Sequence, residues 1–380
     1  MCRNCKITGC GFFYDFFRRY IMADINKARM EINQIDGQMA ELFCRRMDAV
    51  REVGLYKRER GLPIFNFERE RQVIEEGSKR ISNPEYRDYY VNYIEYVMEL
   101  SKRYQSRLMD GIKIAYSGVE GAFANIAAKE IFKNGNPLSY PDFKSAYTAV
   151  EKGECDCAVL PIENSYNGDV GQVMDLAFFG SLHIHQLREI EVVQNLLSNS
   201  GATLETIKEV KSHPQALGQC GEYIHRHGYK PIESVNTAVA AMEVADSGRT
   251  DIAAIGSELA AEKYGLEIID SHINESGVNT TRFAVFSKPE KLPSKTDDHF
   301  VMVFTVKNEA GALSDAINII GRHGFNLCSL KSRPTKKLIW TYYFFAEGEG
   351  NIFSKEGKQM LSELAAGCSD LKVLGSFKKE

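Results

Sequence analysis

Arg46 is a basic residue on a stripe of otherwise apolar side chains. It continues the 3,4 spacing of Leu42, Ala49 and Val53, so a helix through this segment would carry Arg46 on its packed face. Burying an unpaired charge is costly in free energy. Two interpretations therefore stay open: an internal ion pair with a glutamate, or a pocket that binds a small polyanion.

Four other polar residues extend this pattern. Lys57 lies 11 residues beyond Arg46, on nearly the same side of a helix and about 16 Å away, so the two side chains would flank a ligand. Ser101 and Gln105 are four residues apart and share one face of a later helix. Arg29 precedes Lys57 by 28 residues, or roughly 42 Å of helix, which is too far to share a small ligand within one chain. If Arg29 joins the pocket, it must come from a partner subunit.

Three helices must position these residues. The segment 23–60 predicts one long helix that packs along its whole length; its apolar stripe consists of Ile25, Ala28, Ile32, Ile35, Met39, Leu42, Ala49 and Val53. Gly61-Leu62-Pro63 ends this helix, Asn66 is the expected N-cap of a second one, and a third runs from about Glu85 to Met109. A helix of about 50 Å is too long for a small monomer to cover. We therefore expect a dimer of long helices.

On these residues, the segment 22–109 resembles the all-helical chorismate mutase domain. The resemblance implies a Claisen rearrangement of chorismate to prephenate, which needs a compact substrate conformer and donors at the breaking C–O bond rather than proton transfer. It assigns the substrate carboxylates and hydroxyl to Arg29, Arg46, Arg69 and Ser101, the ether oxygen to Lys57 and Gln105, and a hydroxyl to Glu70. Asn66 stands where the family commonly has aspartate; it can still bond a hydroxyl, and a weakened mutase is the alternative.

Beyond Gly111 the sequence alternates between strand and helix patterns up to Phe286. This alternation predicts a parallel α/β sheet with ligands at the carboxyl ends of its strands. Five segments within 111–287 resemble the prephenate dehydratase family: Gly118-Val-Glu-Gly-Ala-Phe-Ala, Pro161-Ile-Glu-Asn-Ser with Gly168, Ser212-His-Pro-Gln with Gln219, Gly256-Ser257, and Asn279-Thr-Thr-Arg-Phe. The resemblance implies two α/β lobes, similar to periplasmic binding proteins, with the substrate in the cleft between them.

The implied reaction removes carbon dioxide and the ring hydroxyl of prephenate to give phenylpyruvate. Aromatisation drives it, so the protein must hold two carboxylates and help hydroxide leave as water, for which a neutral donor suffices. The resemblance assigns this donor to Thr281, substrate binding to Asn164, Ser212 and Gln219, and their orientation to Glu163.

Four positions in this segment carry alternatives. Arg282 is either a carboxylate ligand or part of a structural salt bridge, because it alternates with Thr281 along a strand. His213 is either a turn residue before a proline or a general base. Ala122 and Ala124 stand where the family usually has hydroxyl residues, so any contact those hydroxyls make must be absent or replaced.

Residues 288–298 have the composition of a linker, and 299–380 predict a ferredoxin-like βαββαβ domain. This domain resembles the ACT regulatory domain, which in dehydratases pairs between subunits and binds phenylalanine at the interface. The matching effector residues are Gly311, Ala312, Leu313, Asn326, Leu327 and Ser332. Ser314 and Lys331 replace a valine and a glutamate of the family motifs. Lys331 therefore either alters effector binding or is a solvated lysine at a sheet edge.

Composition limits the function further. The chain has 380 residues, 44% of them apolar, and a net charge of −4, which argues against disorder and against a polycationic nucleic-acid binder. It lacks the roughly 18 uninterrupted apolar residues of a membrane span, so we expect a cytoplasmic location. Residues 1–21 are predicted to be a disordered leader, in which Cys2, Cys5 and Cys10 lack a fourth zinc ligand nearby. We expect no metal or other cofactor.

Taken together, the three segments resemble the bifunctional chorismate mutase/prephenate dehydratase family with an ACT domain. The resemblance implies an enzyme of phenylalanine biosynthesis that acts on chorismate and prephenate as a homodimer or tetramer, with L-phenylalanine as its effector. Two alternatives stay open: a dehydratase with an impaired mutase domain, and a non-catalytic sensor of an aromatic acid.

Overall fold

A computed structural model describes residues 10–275, 279–288, 294–335 and 341–379, with side chains from residue 25 onward. The chain divides into two compact units, residues 1–111 and 112–380. The first unit ends at the residue before Ile112, and the segments predicted as the second and third domains both lie in the second unit.

The first unit is helical. It contains α1 (Cys10–Arg60), α2 (Phe67–Lys79), a short 3-10 turn (Pro84–Tyr86) and α3 (Arg87–Asp110). Asn66 caps α2 as predicted, because its side chain accepts a hydrogen bond from the backbone N–H of Arg69 at 2.9 Å. Helix α1 begins at Cys10, inside the segment predicted to be a disordered leader; Cys2 and Cys5 lie outside the described residues.

Helix α1 presents most of its apolar stripe to solvent within this chain. The large members are between 41% and 58% exposed: Ile25, Ile32, Ile35, Met39, Leu42 and Val53. Helix α1 also packs against α3 at Gly54, which is buried. A Cβ atom added at Gly54 would lie 3.2 Å from Gln105 Cγ on α3. The absence of a side chain at Gly54 therefore allows α3 to approach α1 closely.

The second unit contains fifteen strands and nine helices in its described residues. In chain order the strands are β1 Lys113–Ser117, β2 Asn136–Tyr140, β3 Cys157–Asn164, β4 Gly168–Asp169, β5 His183–Glu191, β6 Asn195–Ser198, β7 Glu209–Ser212, β8 Lys230–Glu233, β9 Ile252–Gly256, β10 Glu267–Asp270, β11 Thr280–Ser287, β12 His299–Val306, β13 Asn326–Pro334, β14 Tyr342–Glu349 and β15 Cys368–Phe377. The helices are α4 Phe123–Ile131, α5 Phe143–Lys152, α6 Gly171–Phe179, α7 Pro214–Gln219, α8 Gly221–His227, α9 Thr237–Ser247, α10 Glu258–Tyr264, α11 Ala312–Arg322 and α12 Lys355–Gly367.

Two mixed sheets form two α/β lobes. The first has the order β2-β1-β3-β11-β5, with β4 paired to β3, and the second has the order β10-β6-β9-β7-β8. The predicted parallel sheet is correct in part, since β1 runs parallel to β2 and β3, and β7 to β8 and β9. However, β11 runs antiparallel to both β3 and β5, and β6 runs antiparallel to β9 and β10. The physical reason is the connection between the lobes: the chain leaves the first lobe along β5 and returns beside it along β11.

The carboxyl-terminal segment is the predicted βαββαβ fold, with an antiparallel sheet in the order β13-β14-β12-β15. One face of this sheet packs Phe300, Met302 and Phe304 in a core with α11 and α12. The other face contributes Val301 and Val303 to a core shared with the first lobe. This shared core explains why the two segments form one compact unit.

None of the helices in the described residues is long and apolar enough to cross a membrane.

Candidate active sites

In the helical unit, Arg46 and Ser101 meet between α1 and α3. An Arg46 Nη donates to Ser101 Oγ at 2.5 Å, and Ser101 Oγ donates to the Val97 carbonyl at 2.7 Å. Burial lowers the pKa of Arg46 from its ordinary value, an effect that Tyr93 opposes. In the described part of the chain, the hydrogen-bond partner of Arg46 is therefore a hydroxyl rather than the glutamate of the ion-pair interpretation.

Gln105 lies one turn beyond Ser101 on the same face of α3. Both side chains are buried, and Gln105 Oε1 has no hydrogen-bond partner within the described residues. A buried amide oxygen without a donor is costly. Its position one turn from Ser101, the partner of Arg46, therefore favours a surface that is completed by a ligand or by another chain.

The other predicted residues of this unit are more dispersed. Lys57 Nζ donates to the Ile64 carbonyl at 2.6 Å, and Glu70 forms an ion pair with Lys102 at 3.2 Å. Arg69 is exposed and donates to Gln72 at 2.8 Å. Arg29 is exposed on α1, 17 residues before Arg46, which is about 25 Å of helix rise. One chain thus brings together Arg46, Ser101 and Gln105 but not Arg29.

The second unit contains a cleft of about 540 Å³ lined by both lobes. Polar lining residues from the first lobe include Asn164, Asn167 and Thr281, and those from the second lobe and its connections include Gln194, His213, Gln219, Asn236 and Thr237. Ala122 and Ala124 also line the cleft. The two alanines therefore give this part of the wall methyl groups where the family usually has hydroxyls.

A chain of amide hydrogen bonds ends at the Thr281 hydroxyl. Asn164 Nδ2 donates to Thr281 Oγ1 at 2.9 Å and to Asn279 Oδ1 at 3.0 Å. Asn279 Nδ2 donates to Gln219 Oε1 at 3.0 Å, and Gln194 Nε2 donates to the same oxygen at 3.1 Å. Because the oxygen of Thr281 accepts from Asn164, the hydroxyl hydrogen is the donor that Thr281 can offer to a ligand.

The orientation of the Asn164 amide is fixed from its other end. Its Oδ1 accepts from the backbone N–H groups of Tyr166 and Asn167 at 3.0 and 2.9 Å.

A β-bulge interrupts the pairing of β3 with β11. Arg282 pairs with Glu163 while Phe283 pairs with Pro161, so Ile162 has no partner residue on β11. As a result, Asn164 and Pro161 both face the cleft although they are three residues apart.

Two predicted residues lie outside the lining of the cleft. Ser212 is fully buried and its hydroxyl donates to the Ile255 carbonyl at 2.7 Å. Glu163 pairs with Arg282 at 3.2 Å and with Lys331 at 2.6 Å. Arg282 is thus part of a salt-bridge network, one of the two interpretations that its sequence position allowed.

His213 lines the cleft and also caps α7. Its Nδ1 accepts from the backbone N–H of Gln215 at 3.2 Å. Burial lowers the pKa of His213 below its ordinary 6.5, against a smaller opposing effect of Glu233, so the imidazole is neutral at pH 7. This geometry agrees with the turn-residue interpretation.

Sequence reasoning missed Gln194 and gave no role to Asn279. Gln194 is buried, lines the cleft, and its Oε1 has no hydrogen-bond partner within the described residues. The available signal was a polar pair, Gln194 and Asn195, next to apolar residues that lead into a buried strand. A buried amide in such a place needs a partner.

The predicted effector residues do not meet within one chain. Gly311, Ala312 and Leu313 follow the end of β12, whereas Asn326 starts β13 and pairs with Glu349, which in turn faces His299 at the start of β12. The two groups therefore lie at opposite ends of the sheet. Ser332 lies further along β13, opposite Phe344.

One group of side chains in the described residues could supply three metal ligands. The ligand atoms of His299, Cys328 and Glu349 lie within 4.8 Å of one another in the carboxyl-terminal sheet. These residues do not line the cleft.

Comparisons with known proteins agree with this arrangement. Residues 114–291 match the family described as prephenate dehydratase, and residues 28–106 match chorismate mutase type II. Over 372 residues the chain is 32% identical to the bifunctional chorismate mutase/prephenate dehydratase of Aquifex aeolicus. The match covers 94% of this chain and 99% of that protein.

Two solved structures resemble 70% of this chain. Prephenate dehydratase from Arthrobacter aurescens in complex with L-Phe has a TM-score of 0.65 at 26% identity and covers 70% of this chain and 90% of that one. GqqA, described as a quorum quenching acylase, has a TM-score of 0.66 at 28% identity, and the match covers 70% of this chain and 98% of that one. Because both enzyme segments match in order and the Aquifex aeolicus protein matches over nearly its whole length, this chain belongs to the bifunctional chorismate mutase/prephenate dehydratase family.

Proposed function

We propose that this chain converts chorismate to prephenate in its helical unit and prephenate to phenylpyruvate in its cleft. The observation that carries the proposal is the Asn164 to Thr281 hydrogen bond, because it presents a neutral hydroxyl donor inside a cleft of suitable size for a small ligand. A sensor would need the cleft but not this donor, so the observation favours an enzyme over the non-catalytic alternative.

In the mutase, Arg46 and Ser101 bind the substrate while Gln105 and Lys57 stabilise the charge that grows on the breaking ether oxygen. The reaction is a rearrangement of electron pairs within chorismate, so these residues need only hold the compact conformer and donate hydrogen bonds. Lys57 now donates to the Ile64 carbonyl. Its Nζ must leave that carbonyl, or share its three hydrogens, to reach the ether oxygen.

We propose a homodimer in which Arg29 of the partner subunit completes the mutase pocket. The exposed stripe of α1 is apolar over several turns, and a second copy of the same helix would cover it. The distance along α1 excludes Arg29 of the same chain from the pocket of Arg46. Asn66 is engaged as a helix cap through its Oδ1, which leaves its amide hydrogens for a substrate hydroxyl.

In the dehydratase, Thr281 donates its hydrogen to the departing ring hydroxyl. The bond between the ring and its carboxylate breaks, its electron pair enters the ring, and the C–O bond breaks as the ring becomes aromatic. Carbon dioxide and water leave, and the proton consumed reaches the hydroxide from solvent through Thr281. Gln219 and Gln194 offer further polar groups for the substrate, while Ser212 is buried and bonded to the Ile255 carbonyl and so has a structural role.

We propose that the carboxyl-terminal βαββαβ domain is an ACT regulatory domain with L-phenylalanine as its effector. The fold and the similarity to a dehydratase solved in complex with L-Phe support this proposal. Because Gly311 and Asn326 lie at opposite ends of one sheet, the effector site requires two chains. The cytoplasmic location stays a prediction from the sequence.

The test is to supply purified protein with chorismate and follow prephenate and phenylpyruvate over time. We expect prephenate to form first and phenylpyruvate to follow. Prephenate that accumulates without phenylpyruvate would contradict the dehydratase activity. If phenylpyruvate forms from added prephenate but not from added chorismate, the mutase is impaired. L-phenylalanine added to the second reaction tests the effector.

A further inference from the structure

The ends of β3 and β11 carry two consecutive cross-strand pairs. Thr281 lies opposite Asn164, and both line the cleft. The next pair, Arg282 and Glu163, points to the other face, because side chains alternate along a strand. The ends of β3 and β11 therefore hold both the Thr281–Asn164 pair of the cleft and the Arg282–Glu163 ion pair.

The carboxyl-terminal domain contacts this ion pair with one residue of each charge. Lys331 of β13 has its Nζ 2.6 Å from Glu163 and also contacts Asp169. Glu347 of β14 accepts a hydrogen bond from Arg282 at 2.6 Å. The side chains of Lys331 and Glu347 are only 15% and 5% exposed, so solvent screens these contacts weakly.

Lys331 also lies between two acids that would otherwise repel each other. Glu163 and Asp169 are directly opposite on β3 and β4, a position in which like charges destabilise a sheet. The chain between them forms the turn whose backbone N–H groups hold Asn164 Oδ1. Lys331 therefore closes the base of the turn that orients the Asn164 amide.

We propose that Lys331 is a positioning residue of the dehydratase, which neutralises Glu163 and Asp169 and so keeps the Asn164 amide directed at Thr281. The lysine stands where the ACT motif has glutamate, and a glutamate here would face two carboxylates instead of joining them. Lys331 is thus neither a solvated edge residue nor a free cation for an effector. The proposal rests on the proposed dehydratase function and gives the carboxyl-terminal domain a part in catalysis without any effector.

The test compares two lysines that reach from the same domain to the same lobe. Lys372 Nζ donates to the Gly180 carbonyl at 2.7 Å and to the Ala177 carbonyl at 3.3 Å, and neither residue lines the cleft. Lys331→Met and Lys372→Met each remove one such contact in the full-length protein. Lys331→Arg keeps the positive charge between the two acids.

We expect Lys331→Met to lower kcat for prephenate by about tenfold or more, with KM changed by less than about threefold, because the donor geometry matters most in the transition state. Lys331→Arg should stay within about threefold of the wild type, since it retains the charge. Lys372→Met should leave kcat nearly unchanged. Hydrogen exchange of the Tyr166 and Asn167 amides should be faster in Lys331→Met alone.

An unchanged kcat in Lys331→Met overturns the proposal, and so does an equal loss in both methionine variants, because that result indicates general support by the domain. The exchange measurement separates this proposal from the proposed function. If the wild type makes no phenylpyruvate, the function fails, but faster exchange in Lys331→Met still supports the role of Lys331 in the turn. Unchanged exchange at Tyr166 and Asn167 would overturn that role.

Discussion

At the scale of single residues, the chemistry depends on which atom of each polar group is already occupied. Asn164 donates to Thr281 through Nδ2 because its Oδ1 is held by the turn, and that choice makes the threonine hydroxyl a donor toward the cleft. In the helical unit, Ser101 holds Arg46, while the Gln105 side-chain oxygen has no partner among the residues that the structure describes. The sequence identified Arg46, Ser101 and Gln105 by their helical spacing, and Asn164 and Thr281 by a resemblance; the directions of their hydrogen bonds follow only from the structure.

Replacing the Thr281 hydroxyl tests the donor directly. We expect Thr281→Val to lower dehydratase kcat by about 100-fold or more, because a positioned proton donor contributes on that order. Thr281→Ser keeps the hydroxyl and should retain most of the activity. Phenylpyruvate formation from prephenate measures both variants. Equal rates in the valine and serine variants would show that the hydroxyl is not the donor.

At the scale of elements, the close approach of helices and the pairing of strands place these groups. The 3,4 spacing predicted α1, and the cap at Asn66 was correct. The mixed sheets and the bulge at Ile162 could not be predicted, because strand direction follows from the path between the lobes and a bulge follows from local pairing. Lys331 shows the same limit, since its partners lie in a different segment of the chain.

Gly54 is the element-scale test of the mutase pocket. A Cβ atom added at Gly54 would lie 3.2 Å from Gln105 Cγ and 3.3 Å from Leu108 Cδ1. The larger side chain of a valine would therefore press against both residues. We expect Gly54→Val to separate α1 from α3 and to abolish most mutase turnover while dehydratase turnover persists. Gly37→Val is the matched control, because a Cβ at Gly37 has no neighbour within 4 Å. Similar mutase losses in both variants would contradict this account.

The network around Glu163 predicts a pH dependence of stability. Burial raises the pKa of Glu163, but the hydrogen bonds and charges of Lys331 and Arg282 outweigh it and hold the pKa below its ordinary 4.5. The stabilisation is therefore complete above about pH 4.5 and is lost as the pH falls through the lowered folded value.

Lys331→Met should raise this pKa and reduce stability near neutral pH by about 1 kcal/mol, a value kept small because Arg282 still pairs with Glu163. The variant should also start to lose stability at a higher pH than the wild type. Thermal unfolding measured from pH 3 to 7 checks both effects. The other charged residues of the network are the same in both proteins: Arg282, Asp169, Glu189 and Glu347. Curves of the same shape for variant and wild type would contradict the linkage.

At the scale of the whole molecule, one chain holds two compact units, and two of its proposed sites are incomplete by themselves. The apolar stripe of α1 is uncovered, and the effector residues lie at opposite ends of the carboxyl-terminal sheet. The two lobes of a single chain, in contrast, already form the dehydratase cleft. Mutase activity should therefore depend on subunit pairing more strongly than dehydratase activity does.

Mixing two inactive mutases tests the shared pocket. In a hybrid of an Arg29→Ala chain and an Arg46→Ala chain, one pocket carries both substitutions and the other carries neither. Random pairing should therefore restore about a quarter of the mutase sites. Turnover of chorismate after subunit exchange is the measurement, with each variant alone as the control. Confirmed hybrids without mutase activity would show that Arg29 acts within its own chain or not at all.

The sequence by itself determined the order of the segments, the long helix and its apolar stripe, the carboxyl-terminal βαββαβ pattern, and the residue types suited to each reaction. These features follow from local periodicity and from residues close in the chain. Only the tertiary structure decided that the buried Ser212 hydroxyl bonds the Ile255 carbonyl instead of lining the cleft, that Gln194 lines it, and that Lys331 contacts Glu163 beside Asn164. Such contacts join residues far apart in sequence, so no local pattern of residue types specifies them.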